Sequence, residues 1–167
     1  MTHARYVRLR HVSARAIVVR PLRNGDVETV ASVFERLGER SRRARFNGPK
    51  PSLSPAELEH LAVVDGTRHV LVAYLAGDER PVGLARIVRE GASAEIAFEV
   101  VDEHQGLGIG SALAEELVAD ARAAGIREIT ALVASDNPVA VSLLRRVLGR
   151  LDVRFEGPEL SLRAALA

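Results

Sequence analysis

Gln105-Gly106-Leu107-Gly108-Ile109-Gly110 constrains what this chain can fold into more than any other stretch. The run Ile96 to Val101 before it is apolar and partly β-branched, so it reads as a strand. After it, Leu113, Leu117, Ala121 and Ala124 recur three or four apart and read as a helix that Gly125 closes. The order is strand, short polar loop, glycine turn, helix. Glycines at alternate positions clear side chains away and let backbone N–H groups converge, and a helix N-terminus adds unpaired donors and partial positive charge. Such a turn can seat a phosphate. No lysine follows Gly110, which argues against a P-loop. Asp102-Glu103-His104-Gln105 separates strand from glycines, and the motif lies deep in the chain, which argues against a Rossmann turn. A plain glycine-rich turn remains the bland alternative.

The rest of the chain alternates helical and extended patterns. Met1 to Arg15 is basic with little periodicity and is expected to be a terminal arm. Ala16 to Arg20 reads as a strand, and Asn24-Gly25-Asp26 caps a helix to about Leu37. Arg40 to Lys50 is a basic segment. Ser54-Pro55-Ala56-Glu57 is a capping box opening a helix to about Val64. Two apolar runs, His69 to Leu75 and Val82 to Arg89, have turn-length connections suited to antiparallel neighbours. Ile126 to Ala134 returns as a strand parallel to the motif strand, a helix follows from Pro138 to about Leu148, and strands near Asp152 to Glu156 and Glu159 to Arg163 finish the chain. The expected fold is α+β, a mixed, mostly antiparallel sheet flanked by helices, forming one domain over residues 16–167.

Composition closes off several chemistries. The chain has no cysteine, which removes disulfides, thiolate nucleophiles and cysteine metal sites. Its histidines lack metal-ligand spacing: His60 and His69 form no HExxH, and His104 is expected to be a solvated loop residue, so no metal is expected. The net charge of +1 gives no overall pull toward nucleic acid or membrane, and no run reaches membrane length. A cytoplasmic monomer or homodimer is the expectation.

The glycine motif resembles the Gln/Arg-x-x-Gly-x-Gly/Ala signature of the GNAT acyltransferases. The likeness runs from about Ala16 to the C-terminus and takes in Ser135-Asp136-Asn137-Pro138. Ser41-Arg42-Arg43-Ala44-Arg45-Phe46-Asn47-Gly48-Pro49, followed by Leu53-Ser54, is similar to the GNAT domain of Pat-type bacterial protein lysine acetyltransferases. The resemblance implies a GNAT fold with acyl-CoA bound at splayed middle strands, and acetyl transfer from acetyl-CoA to an amine, most simply a protein lysine. Rival acceptors are a small amine or an N-terminal α-amine. A catalytically silent acyl-CoA-binding regulator is a rival of another class. Pat-type proteins often carry a further regulatory domain, for which 167 residues leave no expected room.

By this resemblance Gln105, Gly106, Leu107, Gly108, Ile109, Gly110 and Ser111 would hold the pyrophosphate. Phe98 and Val100 would pair with the pantetheine arm, the Val100 N–H would serve as oxyanion donor, and Asn137 would hold CoA or merely cap its helix. Glu95 and Glu99, at even spacing on one strand face, are the base candidates. Glu95 aligns with the base proposed for the Pat-like enzymes and is expected to be partly desolvated; the bland reading of both is an exposed polar face. Many family members place a tyrosine acid seven residues after the asparagine, where this chain has Leu144. Arg40, Arg42, Arg43 and Arg45 are either a solvated face or a rim for phosphate or an acidic protein.

Overall fold

The computed structural model describes residues 8–12 and 15–166. The strands are β1 (Arg8–Val12), β2 (Arg15–Pro21), β3 (Arg68–Leu75), β4 (Pro81–Glu90), β5 (Ser93–Val100), β6 (Glu128–Ala134), β7 (Asp152–Glu156) and β8 (Glu159–Ala165). The helices are α1 (Val27–Glu35), α2 (Glu39–Phe46), α3 (Pro55–Leu61), α4 (Ile109–Ala123) and α5 (Pro138–Leu148). All strands join one sheet in the order β1-β2-β3-β4-β5-β6-β8-β7. Among the described residues only β5 and β6 run parallel, so the expected mixed, mostly antiparallel α+β architecture is the one that forms.

Local chemistry accounts for most boundaries. Asp26 accepts the Thr29 N–H at 3.0 Å and starts α1. Ser54 and Glu57 exchange both capping-box bonds at α3, and Lys50 donates to Glu57, which holds that carboxyl at about 2, through the Lys50 bond first and the Ser54 N–H second. The helix ends at Leu61, short of the expected Val64. Two elements depart from expectation. Arg8–Val12, assigned to the arm, forms β1 through an antiparallel backbone ladder to β2, which Arg15 opens; residues 1–7, 13 and 14 of the expected arm lie outside the described residues. The basic segment folds into α2, which buries no residue fully and therefore shows no apolar stripe. Side-chain anchors hold it: Phe46 meets Phe34 edge-on at 5.7 Å, Arg42 stacks over Phe34 at 4.4 Å, and Arg42 Nη1 donates to the Pro51 carbonyl at 2.8 Å.

The core is sandwiched in one half of the sheet. Along β3 and β4 nearly every consecutive residue is buried, because α4 covers one face and α1 with α3 the other. Gly83 marks how tightly α4 lies: a Cβ there would stand 2.9 Å from the Glu99 carbonyl oxygen and 3.1 Å from Leu113 Cδ1. In β6 and β8 burial alternates instead. Ile129, Val133, Leu160 and Leu162 are buried on one face, while Leu132 and Arg163 on the opposite face are exposed.

Candidate active site

The sheet opens between its two halves. β5 pairs with β6 only over Ser93↔Glu128, Ala94↔Ile129 and Glu95↔Thr130, although β5 continues to Val100 and β6 to Ala134. The last residues of β5 therefore lack a β6 partner and border a cleft. The Val101 N–H bonds back to the Val82 carbonyl on β4. Strand residues alternate the side to which their peptide groups point, so Val100 and Phe98 aim N–H and C=O toward the cleft.

The glycine loop closes the end of this cleft. Gly106 and Gly108 take φ of +76° and +82°, a region where a β-branched residue is strained. Gly108 is the N-cap of α4 and supplies no capping side chain, so the first-turn N–H groups of α4 point to the cleft mouth without a local acceptor. Gly110 lets α4 pass close to its neighbours: a Cβ there would stand 3.4 Å from Leu143 Cδ2 and 3.8 Å from Val100 Cγ2. Leu107 is exposed at the tip and Ile109 is buried. Free N–H donors, a helix dipole and an absent side chain together suit a diphosphate.

Gln105 does something the sequence did not indicate. Its Nε2 donates to the Val100 carbonyl at 3.0 Å and to Ser41 Oγ at 3.1 Å. It thereby braces the glycine loop against the end of β5 and against α2. Arg146 of α5 donates to Ser111 Oγ and brings a guanidinium to the first turn of α4, another contact that sequence spacing alone did not single out. Asn137 caps α5, its Oδ1 accepting the Ala140 N–H at 3.2 Å. Leu144, at the expected tyrosine position, is completely buried.

Glu95 and Glu99 share a face, as their spacing requires, but not an environment. Glu95 is exposed at the vertex where β5 and β6 part, rather than partly desolvated. Glu99 lies under α2 in an ion pair with Arg45, whose side chain is 12% exposed against 9% for Glu99. Its neighbour Arg86 is buried, and burial lowers that guanidinium to about 10; Glu99 opposes the shift and Arg45 adds to it. Arg42 and Arg45 are thus committed to the protein, and of the four basic positions Arg40 and Arg43 stay exposed. His104 is not the solvated residue expected: its side chain is 17% exposed, with Nδ1 3.6 Å from Glu103 Oε1. The hydrogen bond from Arg36 is the main reason the Glu103 carboxyl lies below its usual range.

The model of the acetyltransferase (GNAT) family matches residues 35–149. An acetyltransferase of Pseudomonas aeruginosa is 31% identical over 128 residues, which span 74% of this chain and 69% of that protein. The acetyltransferase Pat of Mycolicibacterium smegmatis is 34% identical over 137 residues, 80% of this chain, which spans only 40% of Pat. Among solved structures, the GNAT domain of S. lividans PAT superposes with a TM-score of 0.82 at 31% identity, covering 98% of this chain and 96% of that one.

Proposed function

The chain belongs to the acetyltransferase (GNAT) family, and we propose that it moves acetyl from acetyl-CoA directly to a protein lysine, with Glu95 as general base. The observation that carries this reading is the unpaired edge of β5, ending at the uncapped start of α4. The pyrophosphate lies over Gly106 to Ser111, with Arg146 beside it. The pantetheine arm runs back along β5 as an added strand, its amides meeting the Val100 N–H and the peptide group of Phe98, while the Val100 carbonyl is held by Gln105.

Strand rise then separates two roles. At ~3.3 Å per residue, Val100 lies roughly 16 Å from Glu95, too far for both to serve one carbonyl. The Phe98 N–H, roughly 10 Å away along the strand, is within reach of a Glu95 side chain working through one water, so Phe98 is the better oxyanion donor and Val100 holds the arm. The lysine must lose a proton before it attacks, because an ammonium with a pKa near ~10.4 has no lone pair. Glu95 takes that proton at the site, the C–N bond forms, the C–S bond breaks, and the second proton shed by the attacking nitrogen passes through water to the CoA thiolate in place of the absent tyrosine. Glu99, occupied by Arg45, fastens α2 and is not the base.

The test is mass spectrometry of a lysate incubated with acetyl-CoA and either wild type or Glu95→Gln, with kcat measured on an acetylated product. Glu95→Gln keeps shape and hydrogen bonding, so acetyl-CoA affinity should hold while kcat falls by about 10²–10⁴. Full activity in Glu95→Gln, with loss in Glu99→Gln, reverses the assignment. Acetylation of small amines alone removes the protein acceptor.

A further inference from the structure

The face of β6, β8 and β7 on the Glu95 side forms a platform beside the cleft: α2, on the same face, touches β6, and the platform continues beyond it over β8 and β7. Register places it: Glu95 pairs with Thr130, Thr130 with Arg163, and Arg163 with Asp152, so these four residues form one row across the sheet. Leu132, Ser161 and Arg154 form the next row, and Ala134, Glu159 and Glu156 the one after. Residues of this face are half-buried or exposed, whereas the alternate residues of β6 and β8 are buried on the other face. The charge on the platform is unbalanced. Glu95, Glu128, Asp152, Glu156 and Glu159 stand against Arg154 and Arg163, in a chain whose overall charge is +1. Arg163 is further engaged by Glu128 at 3.3 Å, which leaves the outer strand β7 and its neighbour acidic.

Resting on the protein-lysine reading, we propose that this platform is the docking surface of the acceptor, and that the acceptor is a basic segment of a protein lying across β6, β8 and β7. Charge complementarity selects the occupant: an acidic face attracts an arginine- or lysine-flanked stretch and repels an acidic one. Continuity places it: the first row of the platform ends at Glu95, so a segment lying on it delivers its lysine to the cleft vertex. Leu132, 40% exposed at the middle of the platform, supplies an apolar contact for the stem of a long side chain. This is the opposite polarity to a recruiting patch built from Arg42, Arg43 and Arg45, of which Arg42 and Arg45 are held in contacts within the protein.

The experiment compares peptides with one lysine flanked by arginines, by serines or by glutamates, in wild type and in Asp152→Asn/Glu156→Gln/Glu159→Gln. Wild type should favour the arginine-flanked peptide through KM, and added salt should erode the preference. The triple variant should raise KM for that peptide about three- to tenfold while leaving the acetyl-CoA KM and the melting temperature unchanged. Arg154→Glu should move the preference the other way. Peptide acetylation with no charge preference in wild type, or with a preference untouched by the triple variant, overturns the platform and leaves the protein-lysine reading standing. Turnover of small amines with no peptide acetylated overturns both.

Discussion

The two halves of the sheet put the same kind of strand to different uses. In β3 and β4 helices cover both faces, and nearly every residue is buried from Val70 to Leu75 and from Pro81 to Ile87. In β6 and β8 one face is covered and the other is touched only by α2 at β6, so burial alternates. β5 lies at the seam, and its two glutamates report the difference: Glu99 is enclosed under α2, Glu95 is open. The doubly covered half holds β5 through its ladder to β4 from Ser93 to Val100, while the other edge of β5 lacks a β6 partner beyond Glu95. A singly covered half is free to receive a partner. The seam between them, where the strands part, is where an extended ligand can enter without breaking an existing ladder.

The sharpest way to break this comparison is to cut the same side chain in each half. Leu117→Ala removes a completely buried residue of α4 and should lower stability by about 2–5 kcal/mol in chemical denaturation. Leu132→Ala on the open face should change it by no more than about 0.5 kcal/mol. Equal losses would mean that the open face is covered. A smaller effect belongs to the seam itself. Gly108→Val places a β-branched residue at φ +82° and disturbs the donors at the start of α4. Acetyl-CoA affinity should fall at least ~10-fold by calorimetry, since hydrogen bonds to a charged partner contribute about 1.5–3 kcal/mol each. Unchanged affinity in a folded variant would move the phosphate elsewhere.

Much of this was legible because it is local. The capping box at Ser54 and the glycine turn before α4 involve neighbours in sequence, and they fold as read, whereas β1, within a stretch of little periodicity, does not. What was not legible depends on distant partners. α2 has no apolar stripe, and its anchors are Phe34 and a glutamate 54 residues away. The shared face of Glu95 and Glu99 follows from a two-residue period, but their different exposure depends on which helix lies above each, and no spacing within β5 encodes that. Likewise Gln105 belongs to a recognisable motif, yet its bonds to Val100 and Ser41 require the packed positions of α2 and β5.

The central claim is that the β5 edge at the seam is the cofactor's binding strand. Amide hydrogen exchange on the full chain, with and without acetyl-CoA, reads that edge directly. Phe98 and Val100 should gain protection on acetyl-CoA addition, along with the first turn of α4, while Leu132 and Ser161 on the open platform stay unchanged until a peptide acceptor is added. Protection at the platform with acetyl-CoA alone, or none at Phe98 and Val100, would contradict the account.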